Sequence, residues 1–177
     1  GVLHIKGFVF DDSVLYSGAS INNVYLQQQD KYRYDRYQKI TNAVLADAMV
    51  NFINDYLLDF NAVFPLDVGN RPRTKEIRAA IRAYRKNLAN HAEYNLPNTG
   101  ECSDVLSVSP LLGLGASGNE LNQVIKKLFL KTQQNLIICT PYFNFPRTLQ
   151  QKIAALLEQG KQVEIIVGDK VANDFHI

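Results

Sequence analysis

The last third of the chain carries the pattern that most restricts its fold. A predicted helix at 119–132 precedes a strand-like run at 135–140, and the same order repeats at 147–159 and 163–167. Strands that alternate with helices in this order form a parallel pair joined by a right-handed crossover. We therefore expect an α/β fold, with Gly160 ending the second of these helices.

The first residues predict a β-hairpin. Residues of high strand propensity dominate 2–10, a turn cluster follows at 11–13, and 14–17 again have strand character. Two helices are predicted farther along the chain, at 40–60 and at about 74–90, from apolar residues at helical spacing.

The stretch 95–118 is irregular and contains several prolines and glycines. We place the domain boundary within it, which divides the chain into 1–112 and 113–177. The glycines of 113–118 formally match a dinucleotide-binding fingerprint. We reject that match because Pro110 interrupts the approach and no acidic residue follows about 20 residues on.

The hairpin contains the pattern H-x-K-x4-D, formed by His4, Lys6 and Asp11. Because side chains alternate along a strand, His4 and Lys6 are expected to project together, with Asp11 at the turn. The returning strand is expected to bring 18–22 beside them. An imidazole can attack phosphorus, and an ammonium group stabilises its oxygens, so this group suits a phosphodiester without a metal. Taken alone, the pattern is short, and a structural histidine at position 4 is the alternative.

The extended pattern resembles the signature of the phospholipase D superfamily, in which H-x-K-x4-D is followed after six residues by G-S-x-N. Gly18 lies at the expected spacing, but Ala19 intervenes, so Ser20 and Asn22 each lie one position late. A one-residue bulge would realign them. The catalytic residues that the resemblance implies are His4, Lys6 and Asp11, and Asp11 is expected to brace the hairpin rather than to touch phosphorus.

The segments 18–25 and 30–37 resemble the bacterial phosphatidylserine synthase branch of that superfamily, and 136–143 is similar to the start of its second repeat. The resemblance implies a mixed sheet flanked by helices. In this arrangement 1–112 is the C-terminal part of the first repeat and 113–177 the N-terminal part of the second. A second H-x-K-x4-D is absent from the sequence, and we expect the chain to be an interior part of a longer polypeptide.

For this branch the resemblance implies a phosphatidyltransferase that converts CDP-diacylglycerol and L-serine into phosphatidylserine and CMP. One histidine of a pair forms a phosphatidyl-histidine intermediate, and the histidine of the other repeat acts as general acid and then as general base. His4 is one of the pair, and no cofactor is implied. The alternatives are another superfamily phosphodiesterase (a phospholipase, a cardiolipin synthase or a nuclease) or a non-catalytic membrane-docking module.

Residues assigned to substrate binding combine the polar end of the motif with an arginine- and tyrosine-rich run at 32–37. They are Gly18, Ser20, Asn22, Arg33 and Arg36. The arginine run suits a cytosine ring or its diphosphate, and a structural loop is an equally good interpretation.

The second predicted helix has a basic face, formed by Arg78, Arg82 and Arg85, opposite an apolar stripe. A basic amphipathic helix is typical of a surface that meets anionic lipid, although a solvated face packed on its own domain is the alternative. We expect a cytoplasmic protein at the periphery of the bacterial inner membrane, since no apolar run approaches the roughly 20 residues of a spanning helix. A net charge of +2 argues against a general nucleic-acid-coating protein.

Two cysteines, Cys102 and Cys139, lie far apart and are expected to be reduced thiols. The three histidines show no metal-ligand spacing with either cysteine, so no metal site is predicted.

Overall fold

The computed structural model describes residues 5–28, 33–59, 61–65, 67, 69, 72–97, 107–114 and 119–169. The chain divides into two compact units, 1–115 and 116–177. Both units combine strands with helices, which confirms the α/β class. That the two units correspond to the parts of two repeats, with a boundary at 112, stays a prediction.

The first unit contains a three-stranded antiparallel sheet. Its strands are β1 (Phe8–Phe10), β2 (Ser13–Ser17) and β3 (Tyr37–Thr41), in the order β1-β2-β3. The predicted hairpin is confirmed, but the first strand was predicted over 2–10, and residues 5–7 lie outside the sheet.

A helix covers one face of this sheet. Helix α1 (Ala43–Phe52) begins after the cap Asn42, whose side chain accepts the backbone N–H of Leu45, and it continues as a π-helical turn at Ile53–Leu57. The prediction of a helix from residue 40 is wrong by three residues, because the preceding segment pairs with β2. The buried core joins sheet and helix through Val14, Leu45 and Ala46, with Val9, Ile40 and Met49 packed around them.

The second helix of this unit, α2 (Arg78–His91), turns its apolar stripe inward. Tyr84 and Leu88 are buried, and the Tyr84 hydroxyl donates to the carbonyl oxygen of Leu57 at 3.2 Å. Burial, followed by the charge of Asp59, raises the pKa of Tyr84 above its ordinary value of 10.0. The apolar stripe is therefore part of the core of its own unit.

The second unit is a helix–strand–helix–strand arrangement. It consists of α3 (Glu120–Lys131), β4 (Asn135–Thr140), α4 (Arg147–Glu158) and β5 (Gln162–Val167), and the two strands pair in parallel. Each of the four predicted elements is confirmed to within one residue at either end. Gly160 has a φ of +74°, a left-handed conformation in which glycine is the least strained residue, as expected for the residue that ends α4.

Candidate active site

The structure locates two of the three residues of the H-x-K-x4-D pattern. His4 lies outside the described residues. Lys6 is half-buried just before β1, and Asp11 is exposed at the hairpin turn with a φ of +50°. Aspartate is one of the few residues that adopt this conformation readily in a turn. The residue type at this position therefore suits the hairpin turn, and the bracing role of the Asp11 side chain stays a prediction.

The shared strand face that we predicted for His4 and Lys6 does not follow from the observed backbone. The sheet begins only at Phe8, and Gly7 has a φ of +151°, so the alternation of a regular strand does not hold over 5–7. A Cβ built on Gly7 would lie 3.1 Å from the Cε of Met49 on α1. Lys6 is thus joined to β1 through a glycine that packs closely against α1.

The pairing of β1 with β2 indicates what lies near Lys6. Phe8, which follows Lys6 by two residues, is opposite Leu15, so Lys6 lies at the open end of the hairpin, the end at which β2 stops at Ser17. Ser17 is buried, and its hydroxyl accepts the backbone N–H of Ala19 at 3.0 Å. That residues 18–22 lie beside His4 and Lys6 stays a prediction.

Ala19, the extra residue relative to the superfamily pattern, is only 1% exposed. Residues 18–22 pair with no strand within the described chain, and residues 1–4, which the hairpin register would set opposite 19–22, lie outside it, so the β-bulge that would realign Ser20 and Asn22 stays a prediction. The inserted residue turns a small side chain into the interior. This explains in physical terms why an alanine is accommodated at this position.

Gly18 contacts a residue that sequence reasoning missed. A Cβ built on Gly18 would lie 3.1 Å from Oδ2 and 3.5 Å from Oδ1 of Asp35. The same carboxylate accepts the backbone N–H of Arg36 on Oδ1 at 2.7 Å. The space beside the glycine is thus filled by Asp35, and the only sequence signal for this contact was an acidic residue inside a basic, aromatic run.

A second contact joins the arginine run to the motif. The backbone N–H of Arg33 donates to the carbonyl oxygen of Val24 at 3.3 Å. The structure therefore brings 33–36 against 18–24, so Gly18 and the two predicted substrate-binding arginines belong to one region. Both arginine side chains are exposed.

Asn22 has a local structural contact. Its Oδ1 accepts the backbone N–H groups of Val24 and Tyr25, both at 3.1 Å, and so caps the turn that follows. The backbone N–H of Asn22 donates to the carbonyl oxygen of the half-buried Ser20 at 3.0 Å. Any contact of the Asn22 side chain with a substrate therefore falls to its amide nitrogen.

A cavity of about 410 Å³ lies at the hairpin turn, where it is lined in part by Asp11, Asp12 and Lys39. The end of β2 that adjoins Lys6 is four residues away, about 13 Å along a strand. We therefore place the candidate site at the Lys6 and Gly18 end of the hairpin rather than in this cavity.

The predicted membrane-binding arginines, Arg78, Arg82 and Arg85, are all exposed on α2. They lie opposite the buried stripe of Tyr84 and Leu88. Among the described helices, none combines the length and apolar character that a bilayer-spanning segment needs.

The described ranges hold no cluster of three histidine, cysteine, aspartate or glutamate residues that could bind a metal ion. Cys139 is an exposed free thiol, and Cys102 and His176 lie outside the described residues.

Comparison with known proteins gives a match over the whole chain, although no protein-family model matches. The chain is 78% identical over 177 residues to a CDP-diacylglycerol–serine O-phosphatidyltransferase of Haemophilus influenzae, and 51% identical to the corresponding protein of Escherichia coli. It also matches the crystal structure of the H. influenzae phosphatidylserine synthase with a TM-score of 0.92, over 99% of this chain and 39% of that one.

Over all 177 residues the chain is thus similar to phosphatidyltransferases. More narrowly, it is similar to CDP-diacylglycerol–serine O-phosphatidyltransferases, which confirms the resemblance seen in the motif. The chain spans 39% of the length of each of the two curated relatives.

Proposed function

We propose that the protein carrying this sequence transfers a phosphatidyl group from CDP-diacylglycerol to the hydroxyl of L-serine and releases CMP. The observation that carries the proposal is the 78% identity to a phosphatidylserine-forming relative over the whole chain, the H-x-K-x4-D pattern included. Because the chain spans 39% of that relative, the activity is proposed for the whole protein, and this chain supplies one part of the site.

The proposed reaction has two displacements at the phosphorus that carries diacylglycerol. In the first, a histidine nitrogen forms a bond to phosphorus, the bond to CMP breaks, and the other histidine gives a proton to CMP. In the second, that histidine removes the proton of the serine hydroxyl, whose oxygen attacks phosphorus as the phosphorus–nitrogen bond breaks. His4 is one of the pair, as nucleophile or as general acid.

The described residues support the electrostatic part of this proposal. Lys6 precedes β1 at the open end of the hairpin, where β2 leads into Gly18, and its ammonium group is suited to the phosphoryl oxygens. The exposed guanidinium groups of Arg33 and Arg36 are suited to the diphosphate of the nucleotide, because arginine pairs with two phosphate oxygens at once.

The test is serine-dependent release of CMP from CDP-diacylglycerol by the full-length protein. We expect His4→Ala to lower the rate by about 10²–10⁴. The matched control is His91→Ala, since His91 is an exposed residue at the end of α2, and the rate should stay near that of the wild type. CMP release that needs no serine would instead indicate a phospholipase, and full activity of His4→Ala would remove this histidine from the mechanism.

We also propose that the exposed arginines of α2 bind anionic lipid at the cytoplasmic face of the inner membrane. Because Tyr84 and Leu88 of the apolar stripe already pack in the core, we expect the contact with lipid to be mainly electrostatic. Basic groups near an anionic surface contribute about 1 kcal/mol each. Binding should therefore fall steeply as salt is raised.

The test is co-sedimentation of the full-length protein with vesicles rich in phosphatidylglycerol. Arg78→Glu with Arg82→Glu should lower the bound fraction strongly at low salt, because two attractive charges become repulsive. The control is Lys127→Glu with Lys131→Glu, which makes the same change of charge at exposed positions of α3. Equal losses for both pairs would indicate a response to net charge alone and would contradict a specific role for α2.

A further inference from the structure

We propose that Asp35 is a positioning residue, whose carboxylate holds the arginine run 33–36 against the backbone of Gly18 and so sets the place of the Arg36 backbone beside the motif. This inference rests on the proposed function for its catalytic consequence, but the contact itself is testable without activity.

The two carboxylate oxygens of Asp35 have different neighbours, and moving one oxygen also moves the other. One oxygen of Asp35 lies where a Gly18 side chain would begin, at 3.1 Å, and the other accepts the Arg36 N–H at 2.7 Å. Turning the carboxylate away from Gly18 would disturb a short hydrogen bond to an ionised acceptor, which is among the stronger kinds in proteins. Moving Asp35 away from a methyl group at position 18 would therefore strain this hydrogen bond.

The chemistry of the group is unsuited to binding the phosphates of the proposed substrate directly. A carboxylate repels the phosphate oxygens of CDP-diacylglycerol, and its two oxygens are already placed toward the protein. The carboxylate can still contribute to binding by positioning the two arginines. It accepts the backbone N–H of Arg36, and the carbonyl oxygen of Val24 accepts the backbone N–H of Arg33. Asp35 acts through Arg36, and it need not touch the reacting atoms.

This arrangement explains why a glycine occupies position 18. No positive φ requires glycine at this position, in contrast to Gly7, so the requirement is one of space. An alanine at position 18 should displace the carboxylate by a few tenths of an ångström and, with it, the backbone of the arginine run. The motif glycine and Asp35 should consequently behave as a coupled pair.

The experiment is a double-mutant cycle in the full-length protein, read by thermal unfolding and by the KM for CDP-diacylglycerol. Gly18→Ala and Asp35→Ala should each lower the melting temperature by about 2–4 °C and raise KM roughly fivefold with a smaller change in kcat. The double variant should be no worse than Asp35→Ala, because the methyl group then meets no carboxylate. Asp35→Asn keeps the shape and the acceptor, so its KM should lie close to that of the wild type.

Two controls separate this coupling from general damage. Gly69→Ala adds a methyl group where no atom lies within 4 Å, and Asp67→Ala removes another exposed carboxylate. Both should leave melting temperature and KM unchanged.

The outcomes distinguish the two proposals. Additive effects of Gly18→Ala and Asp35→Ala on both readouts would overturn the contact. A coupled effect on melting temperature with equal changes in kcat for all variants, and none in KM, would overturn the positioning role. Absence of any CMP release by the wild type would instead refute the proposed function, while the thermal cycle would still decide whether the pair is coupled.

Discussion

Replacing Gly7 by alanine tests how the hairpin presents Lys6. Gly7 has a φ of +151°, a region that residues with a side chain rarely occupy, and such strain costs about 1–3 kcal/mol. The new methyl group would also lie 3.1 Å from the Cε of Met49. That contact adds less, because the end of a methionine side chain moves readily.

A third effect works in the opposite direction. Alanine restricts the unfolded chain more than glycine does, which stabilises the folded state by about 0.4–1 kcal/mol where the native backbone tolerates it. Since the observed φ does not, strain dominates. We expect Gly7→Ala to lower the free energy of unfolding by about 1–2 kcal/mol.

The assay is urea unfolding of the full-length protein, with the same substitution in a Met49→Ala background. If backbone strain dominates, the effect of Gly7→Ala persists without the methionine side chain. The control is Gly69→Ala, which has neither a positive φ nor a neighbour within 4 Å and should change stability by less than about 0.5 kcal/mol. A Gly7→Ala protein as stable as this control would refute the argument, and an effect that vanishes with Met49 would assign it to the contact instead.

Three further predictions concern the packing around the site. Tyr84→Phe should lower the free energy of unfolding by roughly 0.5–1.5 kcal/mol at neutral pH by removing the hydroxyl from the Leu57 carbonyl. Because burial raises the pKa of Tyr84, its neutral phenol stabilises fully below pH 10.0 and progressively less as pH rises through the folded-state pKa, so urea titrations should show the deficit shrinking in alkali. Leu88→Ala should lower the free energy of unfolding by about 2–5 kcal/mol, whereas Asn87→Ala, at an exposed position, should lower it by less than about 0.5 kcal/mol. Comparable losses for the two variants, measured by calorimetry, would contradict the burial of the apolar stripe of α2. Asn119→Ala should destabilise α3 by about 1 kcal/mol through loss of its N-cap, and unchanged amide exchange in the first turn would argue against the cap.

The elements that sequence predicted well are those whose signal is local. The four elements of the second unit have apolar periodicity and clear stops, such as Gly160, so each could be placed to within one residue. Strand β3 was missed because Gln38 and Lys39 are polar and exposed. Its place in the sheet depends on pairing with β2, which lies more than 20 residues earlier in the chain.

The same distinction applies to the candidate site. The H-x-K-x4-D pattern is a short run of residues and could be recognised by spacing alone, whereas the contact between Gly18 and Asp35 joins residues 17 positions apart. Nothing in the spacing of a glycine and an aspartate predicts that the carboxylate of one fills the space left by the other. The early start assigned to the first strand has a related cause, because β propensity does not register the unusual backbone of Gly7.

The proximity of Asp35 changes how the motif glycine, Gly18, is interpreted. The sequence pattern alone assigns Gly18 to substrate binding, next to the predicted catalytic residues His4 and Lys6. In the structure a carboxylate oxygen of Asp35 would lie 3.1 Å from a Cβ at position 18, so a glycine suits the packing at this position even in a protein that binds no substrate. Its presence therefore adds little weight to a catalytic interpretation, which depends on the imidazole and the ammonium group. A variant at position 18 that loses activity would accordingly report on the arginine run, and only substitutions of His4 and Lys6 test the chemistry itself.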